Sequence, residues 1–150
     1  MQALQFPPGF DYVKQDVEKS GVWEPRTTEY VRSHLKRGQT FLDVGAQVGY
    51  YTILASQLGA SVIAFEPSAA NRAALDRNVR DSGCEGVRVV TGALSNADGL
   101  VTLYHGKTPG EHSLLKNYHN GAGFEVVSSF RYDDLDLGVE LALPHLARAQ

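Results

Sequence analysis

Phe41 to Pro67 reads FLDVGAQVGYYTILASQLGASVIAFEP. An apolar run ends in Asp43. A glycine turn follows at Gly45 and Gly49. A helical stretch leads from there into a second apolar run that ends in Glu66. An apolar run of strand length, a glycine turn, a helix and another apolar run make one strand–helix–strand unit with a right-handed crossover. The second run, Ser61 to Phe65, is continuously apolar, as expected of a parallel strand covered on both faces.

The pattern extends in both directions. Ala69 to about Asp81 predicts a helix with Ala74, Leu75 and Val79 on its inner stripe, stopped by Gly83. Val87 to Val90 predicts a third strand, so the core is βαβαβ and parallel. Upstream, Pro25 and two threonines start a helix that runs to about Lys36, with Tyr30, Val31 and Leu35 inward and Gly38 beyond it. Residues 1–23 read as an N-terminal arm with a short polar helix near Asp11 to Lys19, and 24–150 as one domain. Downstream, Leu100 to Tyr104 and Phe124 to Phe130 predict an additional strand pair. His105 to Gly123 between them reads as a long surface loop. Leu135 to Gln150 carries no clear period, and Pro144 interrupts it. The expected fold class is α/β, a Rossmann-like open sheet.

Composition narrows the function. Across 150 residues, 43% are hydrophobic and 21% charged, as in an ordinary globular domain. A formal net charge of −3 gives no electrostatic footprint for nucleic acid or an anionic membrane. The single cysteine, Cys84, excludes an internal disulfide and reads as a small loop residue. MQALQFPPGFDY lacks a basic start and an apolar core, so a cytoplasmic location is expected. His105, His112 and His119 sit in the glycine-rich loop with no tight ligand pair, and no metal is expected. Asp133, Asp134 and Asp136 read as a solvated turn, and Asp98 as part of the turn from Asn96 to Gly99.

The chemistry is concentrated at the strand ends, where open parallel sheets bind ligands. Gly45 and Gly49 let the backbone turn and approach a ligand. The helix start behind them suits a carboxylate. Asp43 would repel a phosphate but suits an ammonium or sulfonium. Glu66 stands where a carboxylate accepts hydrogen bonds from ribose hydroxyls. Thr91, Gly92 and Ala93 end the third strand, where their backbone would line an adenine pocket. The dinucleotide fingerprint fails, because the next two glycine positions hold Gln47 and Tyr50. A phosphate-binding P-loop fails too, with Tyr50 and Tyr51 in place of Gly-Lys. The matching ligand is S-adenosyl-L-methionine, which carries a carboxylate, an ammonium, a sulfonium and a ribose.

WEPRTTEY, FLDVGAQVGYYT, VIAFEPSAANRAALDRNV and VVTGALSNADGLVTLY, with the later HSL and YDDL, resemble the FkbM-type S-adenosylmethionine-dependent methyltransferases over about residues 20–137. The resemblance implies a class I methyltransferase acting on hydroxyls of sugars or natural products. It places the cofactor on Asp43, Gly45, Ala46, Gly49, Glu66 and Pro67, with Glu24, Tyr51 and Thr52 beside its methionine end. Gln47 stands where that family usually has Asn. After YDDL the family continues with an acid-bearing strand resembling KIDVEG, whereas this chain reads LGVELALPHLARAQ. The expectation is therefore cofactor-binding geometry with weak or absent turnover, and no catalytic residue is assigned. The first strand would have one open edge, covered by Leu135 to Leu143 or by a second chain, as in a homo-oligomer. The expected partner is a small-molecule methyl acceptor. The alternative is a non-catalytic module that binds cofactor or a partner chain.

Overall fold

The computed structural model describes residues 4–6, 8–116 and 123–135. The three predicted core strands are present: β1 (Thr40–Val44), β2 (Ser61–Glu66) and β3 (Val87–Thr91). They pair in parallel in the order β1-β2-β3, with Thr40 opposite Ser61 and Val62 opposite Val87. Among the described residues four α-helices accompany them: α1 (Asp11–Ser20), α2 (Pro25–His34), α3 (Tyr50–Gln57) and α4 (Ala69–Asp81). α3 and α4 are the crossovers. Among the described residues this is a Rossmann-like open α/β sheet.

Central β2 is sealed from Val62 to Glu66. β1, expected as a buried strand, is only partly buried. Its first three residues are half-buried and Val44 is 55% exposed. The reason is topological: among the described residues β1 pairs only with β2, so its other edge is open. Residues 136–143, expected to cover that edge, lie outside the described residues.

The core gathers Val31, Leu35, Leu54, Ala55, Ala64 and Leu75. Tyr30, expected to face inward, is instead 44% exposed and stacks on His34 with ring centroids 4.1 Å apart. Val31 and Leu35 are four residues apart and take the inner stripe; Tyr30 pairs with its own neighbour one turn on. The N-terminal arm is more than an appendage. Phe10 and Val13 bury against Val48 and Ala74. Gln5 exchanges hydrogen bonds with the side chain of Asn78, its N–H donating to Oδ1 at 2.9 Å and its carbonyl accepting from Nδ2 at 3.0 Å.

β3 then passes into a second sheet. The predicted strand pair appears as β5 (Gly99–Tyr104) and β6 (Phe124–Arg131), antiparallel, with a third, unpredicted strand β4 (Ala93–Ser95) parallel to β6. Gly92 makes the switch. A Cβ there would come within 2.7 Å of the Phe130 ring and 2.8 Å of the Ser128 carbonyl. The Asn96 to Gly99 turn has the structural role expected of it, since Asp98 accepts a hydrogen bond from the Arg131 N–H at 2.8 Å. Asp133 pairs with Arg131 at 3.7 Å, as a solvated turn would allow. Asp136 and His119 lie outside the described residues.

The stretch read as a surface loop is folded in its described part. Ser113 bridges back to Tyr104, a single 3-10 turn forms at Pro109–Glu111, and a Cβ on Gly106 would overlap Glu111. No helix among the described residues is long and apolar enough to cross a membrane.

Candidate functional site

Asp43 sits near the C-terminal end of β1, and α3 returns beneath it. The buried Thr52 hydroxyl donates to Asp43 Oδ2 at 2.5 Å, which fixes the carboxylate's orientation. Asp43 is only 8% exposed, and burial pushes its carboxyl up from 3.8 to about 6 against the opposing pull of the Thr52 bonds. At neutral pH it is a poorly solvated anion. Such a group gains most from a cationic ligand.

The turn after Asp43 is held by its own backbone. The N–H groups of Gly45 and Ala46 both donate to the Phe65 carbonyl, at 2.9 and 3.0 Å, which fastens the turn to the end of β2. The two predicted glycines have different roles. Gly45 has φ +78 and open space where a Cβ would stand, so its backbone can face a ligand. Gly49 has φ +91, and a Cβ there would lie 2.5 Å from Leu75 Cδ1. Its smallness serves helix packing rather than ligand approach. Gln47 also has positive φ, at +51, an uncommon backbone for a residue with a side chain.

A cleft of about 350 Å³ opens beside this turn, walled by Trp23, Glu24, Asp43, Gly45, Tyr51 and Gly110 among others. Its size is at the lower end for small-molecule sites. Glu24 enters it from the N-cap of α2 with a left-handed backbone, φ +43. The Tyr51 hydroxyl donates to Glu24 Oε2 at 2.8 Å. Burial, and then the Glu24 carboxylate, push the phenol up, so Tyr51 stays protonated as a donor. Ala46 also lines the cleft, whereas fully buried Thr52 acts only through Asp43. The cleft thus presents two carboxylates and a phenol around an apolar floor that includes Val13 and Val48.

Glu66 is elsewhere. It is 3% exposed and is not a wall of the cleft. Its Oε2 accepts the Gln47 N–H at 2.7 Å, and its Oε1 accepts the Ser68 N–H at 2.9 Å and Asn71 Nδ2 at 3.4 Å. Burial raises its carboxyl, with nearby Asp43 adding a smaller push in the same direction. The cleft beside Asp43 therefore does not take in Glu66, the other carboxylate expected to hold the ligand. Pro67 follows Glu66, half-buried and also outside the cleft walls. Gly92 and Ala93 face the second sheet: Gly92 abuts Phe130, and buried Ala93 pairs with Ser129.

Two buried amides escaped the sequence reading. Asn71 Nδ2 donates to the Pro109 carbonyl at 3.0 Å, and Asn78 Nδ2 to the Val48 carbonyl at 2.8 Å. Asn at two positions seven apart on the inner side of a helix is the available signal, since polar residues there need partners. His105 and His112 stack at 4.7 Å, and His105 Nε2 is 3.1 Å from Glu125 Oε1. Among the described residues no cluster has the makings of a metal site.

No family model matches the chain, and no curated protein matches it. Solved structures resemble part of it. An rRNA methylase from Streptococcus thermophilus shares 16% identity over 46% of this chain and 38% of its own, with TM-score 0.44. Precorrin-6y C5,15-methyltransferase from Geobacter metallireducens shares 19% over 49% and 41%, with TM-score 0.41. Geranyl diphosphate C-methyltransferase from Streptomyces coelicolor, solved with Mg²⁺, geranyl diphosphate and S-adenosyl-L-homocysteine, shares 24% over 60% and 36%, with TM-score 0.41. The chain spans well under half the length of each. The similarity is one of fold.

Proposed function

We propose that this chain binds S-adenosyl-L-methionine at the Asp43 cleft and belongs to a methyltransferase of FkbM type acting on a small-molecule hydroxyl. The observation that carries the reading is a buried, Thr52-oriented carboxylate at the end of the first strand, opening beside a glycine turn into a cleft that also holds Glu24. The buried Asp43 carboxylate and the exposed Glu24 carboxylate, both walls of the cleft, suit the ammonium and sulfonium of the ligand's methionine end. Gly45 and Ala46 give the ligand room along the turn, and Tyr51 holds Glu24 in place. Glu66 has the chemistry for a ribose diol at the neighbouring strand end. The cofactor supplies an electrophilic methyl group. This chain's part is to orient it and to exclude water around it.

Titration calorimetry with S-adenosylhomocysteine and S-adenosylmethionine tests the reading; absence of binding to both rejects it. Transfer of labelled methyl to sugar or natural-product hydroxyls then tests turnover. A second reading is favoured by the edge of β1 that is unpaired among the described residues: a non-catalytic module that holds cofactor and pairs through that edge with a second copy. Binding without turnover, together with a dimer in sedimentation velocity, supports it.

A further inference from the structure

Glu66 is covered by a structure of its own. The turn Pro109–Glu111 lies across it, and its carbonyls occupy the two amides beside the carboxylate. Asn71 Nδ2, which reaches Glu66 Oε1 at 3.4 Å, donates to the Pro109 carbonyl at 3.0 Å. Gln47, whose N–H holds Glu66 Oε2, turns its side-chain Nε2 to the Gly110 carbonyl at 3.2 Å. Gly110 also walls the cleft beside Asp43.

The turn is a compact unit with a narrow neck. The Gly106 N–H reaches His112 Nδ1 at 3.3 Å, and the Glu111 N–H donates to the Thr108 carbonyl at 3.0 Å. On its outer side it meets the N-terminal arm, where a Cβ on Gly9 would stand 2.6 Å from Pro109 Cδ. The closed position is imperfect. The Thr108 hydroxyl is buried there without a hydrogen-bond partner among the described residues, an arrangement that natural interiors avoid. Water or a ligand would satisfy it once the turn lifts.

We propose that Pro109–Glu111 is a displaceable cover whose carbonyls stand in for ligand oxygens on Gln47 and Asn71, and that a ribose-bearing ligand must lift it to reach Glu66. The inference rests on the functional reading above. Lifting frees two amide donors and one carboxylate at a single point, which is the complement of a vicinal diol. Affinity then carries the cost of opening, and anything that loosens the cover raises it.

His112→Ala isolates this cost. It removes the acceptor of the Gly106 N–H that holds the neck of the turn, and leaves Gln47, Asn71 and Glu66 in place for the ligand. Amide hydrogen exchange across residues 105–116 is compared for the wild-type chain and this variant, each with and without S-adenosylhomocysteine, alongside calorimetry. The expected result is faster exchange in this segment when wild type binds the ligand. The ligand-free variant should already exchange faster, and it should bind about three- to tenfold more tightly, the worth of one neutral hydrogen bond. Binding with slower exchange in the segment would make the turn a closing lid and overturn the cover alone. So would binding that leaves exchange unchanged in the wild type. Absence of binding by both proteins overturns the functional reading and the cover together.

Discussion

Asp43 gives the candidate site its pH dependence. Its folded-state pKa is about 6 against 3.8 for the free group, because burial disfavours the anion. A raised carboxyl stabilises the fold at low pH. The contribution is complete below the unfolded value and is lost as pH rises through 6, on the order of 2–3 kcal/mol. Asp43→Asn removes that loss and can still accept from Thr52. The variant should be more stable at pH 7 in urea denaturation, by up to the same order, and should fail to bind S-adenosylmethionine. A variant that binds normally would show that the carboxylate is structural. In wild type, affinity for the cationic ligand should fall about tenfold per pH unit below 6, because protonation cancels the attraction. Calorimetry at pH 7, 6 and 5 measures that slope.

At the scale of elements, Gly49 joins α3 to α4. Alanine there meets both a left-handed backbone and the Leu75 side chain, which is fully buried. Gly49→Ala should cost about 2–4 kcal/mol, combining backbone strain with overpacking. Gly45→Ala should cost only the strain, about 1–2 kcal/mol, since its side is open. Paired urea titrations check the difference, and equal costs would remove the packing role. These two glycines also show what a sequence can disclose. The strands other than β4, and α3 and α4, are legible because apolar runs and 3.6-residue stripes reflect local burial. Both glycines were legible as a turn. Which one packs and which faces a ligand depends on Leu75, a residue from another element, and no local pattern carries that. The same limit hid β4. Three residues form a strand there because β6 returns beside them, long after them in sequence. Glu66 is legible as a carboxylate at a strand end, but its cover is not, because the turn reaches Gln47 and Asn71 from 63 and 38 residues away in the sequence.

For the molecule as a whole, the N-terminal segment is structural. Phe10 is wholly buried and packs with Val48, the residue before Gly49. Phe10→Ala should cost about 3–5 kcal/mol by urea denaturation, and a loss under 1 kcal/mol would mean that α1 is loosely docked. Asn78 extends the connection. One buried amide binds Gln5 at the front of the chain and the Val48 carbonyl in the glycine turn, at 3.0 and 2.8 Å. Trimming the first few residues, or fusing a tag that pulls on them, therefore disturbs a wire that ends at the Asp43 cleft. Damage done at the leading end would be read, in an assay, as a defect of the proposed site.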